Sequence, residues 1–235
     1  MMAGQTPVRT FKALSALLTY PGADLVAAID EIEAVIDDEN LLRPAVRRGL
    51  QSLLHALRTD DLLDLQERYV ELFDRSRRLS LHLFEHIHGE SRDRGQAMID
   101  LVQHYERGGL LVMANELPDY LPLFLEFLST RPPGEARSLL AETSHVLSVL
   151  DERVQSRNPA YGAVFTAILS LAGDVRAAPV ATESLAEVDD LAALDAEWEE
   201  TAVAFGPGMP ADGCSVDRLR IQMRAARRDA RHSGA

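Results

Sequence analysis

Apolar residues recur at three- and four-residue steps along most of this chain, which is the period of an amphipathic α-helix. The first stripe covers residues 8–18, and Tyr20-Pro21-Gly22 then ends the helix. The same period predicts three more helices in this half of the chain: one capped by Asp24, one over residues 45–57, and one capped by Asp60 or Asp61.

The second half of the chain continues the helical period. Its apolar stripes predict helices over residues 96–105, 118–128, 135–156 and 159–171. Gly108-Gly109 follows the first of these helices, and Pro132-Pro133-Gly134 separates the next two. Alternating runs long enough for β-strands are absent from the sequence. We therefore predict an all-α protein built as a single helical bundle.

The composition changes after Val175. Residues 177–217 contain ten acidic residues and no Lys or Arg, and glycines and prolines cluster between Gly206 and Gly213. Residues 217–235 reverse the sign, with six Arg and two Asp. We predict an all-helical domain over residues 8–175 and an acidic, then basic, C-terminal appendage over residues 176–235. The appendage is expected to be partly helical around residues 185–198 and otherwise loosely ordered, so that it is partly disordered.

Composition and charge exclude several classes of protein. The 235 residues carry a formal charge of −13, which disfavours binding to nucleic acid. No apolar run approaches the roughly 18 residues that span a bilayer, and the first ten residues contain no apolar signal region. Cys214 is the only cysteine, so neither an internal disulfide nor a multi-cysteine metal site can form. We expect a cytoplasmic protein that does not insert into membranes.

The densest cluster of polar residues lies between Tyr69 and Gly95. His82 and His86 are four residues apart, a spacing that places two side chains on one face of a helix, and Glu85 and His88 are nearby. Such a group can bind a transition metal, but metalloprotease motifs need a glutamate directly after the first histidine. The preferred interpretation is that these histidines form hydrogen bonds or line a groove, with no metal bound.

The segment over residues 115–128 is strongly apolar and carries acidic residues at its start. Leucines and phenylalanines dominate it, while Glu116 and Asp119 add negative charge. Core packing explains the apolar residues. A groove with an apolar floor and an acidic rim, which would accept an amphipathic segment of another protein, explains them equally well.

Three motifs carry a resemblance to a known family: Tyr69-Val-Glu-Leu-Phe-Asp-Arg75, Ser80-Leu-His-Leu-Phe-Glu-His-Ile-His-Gly-Glu-Ser-Arg-Asp-Arg-Gly-Gln-Ala-Met98 and Asn115-Glu-Leu-Pro-Asp-Tyr-Leu-Pro122. They resemble the NarJ family, the delta subunit of respiratory nitrate reductase, which is a molybdenum cofactor assembly chaperone related to the redox-enzyme maturation chaperones. The resemblance covers residues 11–206. Leu117 and Tyr120 depart from the Glu-Pro-Asp-His element of the wider family, so a role of that histidine does not carry over.

The resemblance implies an all-helical chaperone that is not an enzyme and has no cofactor of its own. Such a protein binds the N-terminal segment of the apo catalytic alpha subunit of nitrate reductase in the cytoplasm. It supports insertion of the molybdenum cofactor and assembly of the membrane-bound complex, and it is not part of the mature enzyme. Whether the chaperone touches the molybdenum cofactor stays open.

Combining the two apolar, acidic segments with this resemblance predicts where the partner's peptide binds. The predicted peptide-binding residues are Tyr69, Phe73, His82, Glu85, His86, Glu116, Asp119, Tyr120 and Phe124. One alternative function stays open at this point, namely a metal-binding helical enzyme or sensor that uses His82, His86 and His88.

Overall fold

The computed structural model describes residues 8–87, 93–112 and 116–173. Within these ranges the regular structure is helical, without β-strands, which confirms the predicted all-α class. The α-helices are α1 Arg9–Leu17, α2 Ala23–Ala27, α3 Ile29–Glu39, α4 Pro44–Thr59, α5 Leu62–Tyr69, α6 Leu83–Ile87, α7 Asp93–Arg107, α8 Leu121–Ser129, α9 Pro133–Glu142, α10 Ser144–Arg157 and α11 Pro159–Ala172. A π-helical turn at Val70–Asp74 extends α5, and a 3₁₀ turn follows at Arg77–Leu79.

Helices α1, α8 and α11 lie at the centre of the core. Helix α1 packs against α3, α8 and α11, and the Ser15 hydroxyl fixes it to α8 by donating to the carbonyl of Pro122 at 2.6 Å. Helix α11 packs against α4, α9 and α10. Both α8 and α11 are apolar on nearly every side, as expected of helices surrounded by protein. No helix among the described residues is long and apolar enough to cross a membrane.

Two predicted helix starts are confirmed by their caps. The carboxylate of Asp61 accepts a hydrogen bond from the N–H of Leu63 at 2.8 Å, which caps α5. Asn158 caps α11 in the same way through the N–H of Tyr161, and Pro159 occupies the first helical position. The predicted stop after α7 is also correct, because Gly109 adopts a positive φ of 83° just beyond the helix.

The helix predicted to start at Asp24 differs from the structure. Gly22 is the N-cap residue, and Asp24 lies in the first turn of α2, where its charge favours the positive end of the helix. The helical path is then interrupted at Ala28, whose ψ of −2° separates α2 from α3.

The single helix predicted over residues 135–156 is wrong, because the chain forms two helices that meet at Thr143. The Thr143 hydroxyl donates to the carbonyl of Leu140 at 2.9 Å, and the Ser144 hydroxyl donates to the carbonyl of Ala141 at 2.7 Å. Hydroxyls that bond to preceding carbonyls compete with regular helical hydrogen bonds, which explains the break.

The predicted boundary of the helical domain at residue 175 and the appendage over residues 176–235 lie outside the described residues, the last of which is Gly173.

Candidate functional site

Two segments that are distant in sequence meet next to α6 and α8. The N–H of Leu121 donates to the carbonyl of Leu81 at 2.8 Å, and the N–H of Leu83 donates to the carbonyl of Asp119 at 3.0 Å. These bonds place His82 opposite Tyr120 in an isolated antiparallel bridge. The two motifs that contain His82 and Tyr120 are therefore in direct contact.

Asp119 holds this junction together from a fully buried position. One carboxylate oxygen accepts a hydrogen bond from the N–H of Phe84 at 3.1 Å, and the other lies 3.2 Å from Nδ1 of His82. Because its carbonyl and carboxylate both bind the start of α6, Asp119 does not begin α8. The prediction that Pro118-Asp119 opens that helix is therefore wrong, and α8 begins at Leu121.

Arg94 contributes a positive group at the junction. Its guanidinium lies 3.6 Å from the carboxylate of Glu85 and 4.0 Å from that of Asp119. Arg94 therefore compensates part of the charge of Glu85 within the chain. A positive ligand group would compete with Arg94 for this carboxylate.

The two histidines do not share a helical face as their spacing predicts, because His82 precedes α6 and only His86 lies in it. The Nε2–H of His86 donates to the carbonyl of Ser80 at 2.8 Å. Burial lowers the pKa of His86, and the nearby Arg153 lowers it further, against the raising effect of the bond to Ser80. Among the described residues no group of three or more His, Cys, Asp or Glu is placed to hold a metal ion, and His88 lies outside them.

Four rings form a continuous series of contacts that we call the aromatic row: Tyr20, Tyr69, Tyr120 and His82. The Tyr20 and Tyr69 rings meet edge to face at 5.6 Å, and the Tyr69 and Tyr120 hydroxyls are 3.3 Å apart. The Tyr120 and His82 rings are 5.4 Å apart. The row connects α5 to the junction of the two segments, so it joins the first predicted motif to the other two.

The nine predicted site residues differ in how far a ligand can reach them. Four are buried: Tyr69, Phe73, Asp119 and Phe124. Four are half-buried, namely His82, Glu85, His86 and Tyr120. The ninth, Glu116, is exposed. A peptide can touch the second group directly in this conformation, whereas the buried group supports the surface from below. Phe73, for example, packs against Tyr69 at 5.0 Å and Tyr161 at 5.2 Å.

Three exposed apolar residues, one in the aromatic row and two beside it, were missed by sequence reasoning. Tyr20, Leu63 and Val70 are 51%, 73% and 36% exposed, and they line a shallow cavity of about 270 Å³. Their signal was present in the sequence: Leu63 in α5 and Val70 in the turn that follows lie outside the inward-facing apolar stripe, and Tyr20 follows the end of α1. The π-helical turn at Val70–Asp74 lies directly beside this cavity, and such turns are frequent at functional sites.

Acidic side chains surround the exposed part of the row, and we call them the acidic rim: Glu67, Glu71, Asp74 and Glu116. Glu71 pairs with Arg75 at 3.6 Å, whereas the other three have no ion-pair partner within the described ranges. Burial raises the pKa of Tyr120, and the negative charges of Asp74 and Glu116 add to this effect. The surface therefore combines exposed apolar groups with uncompensated negative charge.

A larger cavity of about 500 Å³ lies between α1, α2 and α3, away from all nine predicted residues. Its floor is aliphatic, but its rim carries charges of both signs, including Arg9, Lys12, Glu31 and Glu126. Lys12 pairs with Glu126 at 3.3 Å. The lining of this cavity sets three carboxylates, Asp24, Glu31 and Glu126, against two bases, whereas the acidic rim sets four carboxylates against Arg75.

Comparison with known proteins finds one matching family model and several relatives. The family model described as "Nitrate reductase delta subunit" matches residues 39–167. The nitrate reductase molybdenum cofactor assembly chaperone NarJ of Escherichia coli K12 is 44% identical over 82% of this chain and 83% of its own length. The probable chaperone NarW of the same strain is 40% identical over 84% of both chains.

A more distant relative agrees with these matches. The probable nitrate reductase molybdenum cofactor assembly chaperone NarJ of Bacillus subtilis 168 is 31% identical over 68% of this chain and 86% of its own. All three relatives are named as assembly chaperones and not as catalysts, in agreement with the prediction that this chain is not an enzyme. The chain belongs to the nitrate reductase delta subunit family.

Proposed function

We propose that this protein is a dedicated cytoplasmic chaperone for the catalytic alpha subunit of respiratory nitrate reductase. It binds the N-terminal segment of the apo subunit, supports insertion of the molybdenum cofactor, and leaves before the membrane-bound complex is complete. The names of the relatives support the assembly role. The N-terminal segment as the ligand rests on the resemblance of the central motifs.

The observation that carries the proposal is the aromatic row with its acidic rim. A targeting segment combines positive charge with apolar residues, and this surface offers the complementary groups. Tyrosine rings present a large contact area and can stack on guanidinium groups. Uncompensated carboxylates attract a basic segment and accelerate its encounter with the chaperone, while the exposed apolar side chains supply contact area for affinity.

Calorimetry with a synthetic peptide of the alpha subunit's N-terminus tests the proposal. We expect Tyr20→Ala to weaken binding by about fivefold or more, because a large exposed ring at such a site contributes on the order of 1–2 kcal/mol. Leu41→Ala is the matched control, since Leu41 is also an exposed apolar residue but lies between α3 and α4. Equal affinities of the two variants would exclude the aromatic row as the binding surface.

The acidic rim has its own test. The triple variant Glu67→Gln, Asp74→Asn, Glu116→Gln should slow association at low salt and flatten the dependence of the rate on ionic strength. Glu142→Gln, a change at an exposed position on α9, is the control. A rate that stays unchanged in the triple variant would contradict electrostatic attraction at this surface.

A further inference from the structure

Arg94, at the start of α7, holds its guanidinium in a cleft formed by the carboxylates of Glu85 and Asp119. Its Nη2 lies 3.6 Å from Oε1 of Glu85 and 4.0 Å from Oδ2 of Asp119. A direct hydrogen bond from a guanidinium to a carboxylate measures about 2.7–2.9 Å, so both contacts are ion pairs without such a bond. A basic group that donated directly to Glu85 would therefore bind it more strongly than Arg94 does.

The cleft requires a positive group because its carboxylates are withdrawn from solvent. The Asp119 side chain is fully buried, and the side chains of Glu85 and Arg94 are each 27% exposed. A carboxylate in such a position is costly unless a cation stays near it. The other Asp119 oxygen faces Nδ1 of His82 at 3.2 Å, whereas Glu85 pairs with Arg94. Any group that takes the place of Arg94 must therefore also be positive.

The cleft lies at the His82 end of the aromatic row. The His82 ring contacts Asp119 through Nδ1, and its centre is 5.4 Å from that of Tyr120. Glu85 follows His82 by three residues, and its N–H donates to the His82 carbonyl at 3.2 Å. A segment bound along the row would thus reach Glu85 with a lysine or arginine at its end.

Helix α7 is fixed to the core near its C-terminal end. The buried Tyr105 ring lies 4.8 Å from that of Phe127, and its hydroxyl donates to the carbonyl of Pro118 at 2.8 Å. From Arg94 to His104 none of the α7 side chains is buried. The ion pairs of Arg94 lie about 16 Å along the helix from the buried ring. They therefore hold a part of α7 that burial stabilises little.

We propose that Arg94 is an internal substitute for a basic residue of the partner segment. The guanidinium or ammonium group of that residue takes the place of Arg94 beside Glu85, and Arg94 moves out into solvent. The first three turns of α7, from Arg94 to His104, then lose this attachment and open more often. The attachment of α7 by Arg94 depends on this chain alone, whereas the replacement of Arg94 rests on the proposed function.

Hydrogen–deuterium exchange of the full-length protein without a ligand tests the attachment. We expect Arg94→Gln to speed amide exchange at Ile99 and Val102 by about threefold or more. Exchange at the buried Ile168 in α11 should stay unchanged. Arg107→Gln removes the same charge at the other end of α7 and should not affect Ile99 or Val102. Arg94→Lys should keep most of the protection, because it keeps the charge.

Two results of this experiment would overturn the attachment. One is unchanged exchange at Ile99 and Val102 in Arg94→Gln, and the other is faster exchange that extends to Ile168 and so reports a loss of global stability. Glu85→Gln is a second variant, which should speed exchange at the same amides and add little when combined with Arg94→Gln. Fully additive effects would overturn the pairing on which the attachment depends.

The replacement of Arg94 is measured with the synthetic alpha-subunit peptide. Arg94→Gln should bind this peptide about threefold to tenfold more tightly than the wild type, because the internal substitute is gone. Arg107→Gln makes the same change in net charge and should bind like the wild type. A peptide whose Lys and Arg are changed to Gln should bind all three proteins equally. Binding of the original peptide should also speed exchange at Ile99 and Val102 in the wild type, because α7 is released.

Three results would overturn the replacement and leave the proposed function intact. These are equal affinities of Arg94→Gln and Arg107→Gln, a preference for Arg94→Gln that persists with the uncharged peptide, and exchange at Ile99 that does not rise on binding. Failure of the peptide to bind any of the three proteins would contradict the proposed function and, with it, the replacement. Exchange in the protein without ligand would then still decide whether Arg94 attaches α7.

Discussion

The buried carboxylate of Asp119 accepts a hydrogen bond from the backbone N–H of Phe84, which lies 35 residues earlier in the chain. It thereby does for α6 what an N-cap residue normally does within its own segment. The carbonyl oxygen of Asp119 also accepts a hydrogen bond from the N–H of Leu83. The geometry of the proposed binding surface thus depends on a residue that a peptide cannot reach, since Asp119 is fully buried.

Replacing Asp119 should therefore destabilise the whole protein. We expect Asp119→Ala to lower the free energy of unfolding by about 2–3 kcal/mol, the usual cost of losing hydrogen bonds to a buried charged group. Urea unfolding checks this value. Asp100→Ala, an exposed carboxylate on α7, should change stability by less than about 0.5 kcal/mol. If the two variants were equally stable, Asp119 would have no structural role.

Alanine substitution at two glycines near α7 should change the stability of the protein in opposite directions. A Cβ at Gly108 would lie 2.9 Å from Cζ of the buried Phe127 ring and closer still to Cε2, so Gly108→Ala should cost about 1–3 kcal/mol. Gly95 lies inside α7 with open space around it, and Gly95→Ala should stabilise by about 0.5–1 kcal/mol. Thermal unfolding of both variants measures the difference, and a shift of the same sign in both would refute the packing argument.

The free energy of unfolding should depend on pH because of the buried His86. Because burial lowers its pKa in the folded state, the unfolded chain binds the proton more readily, and folding is favoured where the ring is neutral. This stabilisation is fully present above the ordinary histidine pKa of about 6.5 and is lost as the pH falls towards the lower folded value. Urea unfolding at pH 8, 7, 6 and 5 should show a smaller decline for His86→Gln than for the wild type. His55→Gln, at an exposed position on α4, should retain the full decline.

The hydroxyl of Tyr69 should matter for stability more than that of Tyr20. Tyr69 donates to the carbonyl of Leu18 at 2.9 Å inside the core, so Tyr69→Phe removes a buried hydrogen bond and should cost about 1–2 kcal/mol. Tyr20→Phe should be nearly neutral, because that ring is half-exposed. Chemical unfolding of the two variants compares them directly, and a neutral Tyr69→Phe would show that the bond contributes nothing net.

The sequence predicts the structure correctly where that structure depends on residues close together in the chain. The stripes of apolar residues predict most helices, and Asp61 and Pro159 mark two starts correctly because capping is a local interaction. The break at Thr143 was missed, since a hydroxyl inside a helix has no fixed effect on its path.

The candidate site shows more clearly which features cannot be predicted from the sequence. The motifs containing His82 and Tyr120 were predicted to act together, but nothing local reveals that Asp119 caps α6. Periodicity also cannot separate core from surface. The sequence places Tyr69, Phe73 and Phe124 in the groove, but they are buried, and it marks the exposed Tyr20 only as the end of a helix. Burial depends on how α5 and α8 pack in three dimensions.

The pairing of residues 81–84 with 119–121 has a consequence for motion. The amide protons of Leu83, Phe84 and Leu121 are all bonded across this junction, so none can exchange with solvent unless the two segments separate. In hydrogen–deuterium exchange these three amides should share one opening free energy. The start of α6 and the start of α8 would then form a single cooperative unit, although they belong to different parts of the chain.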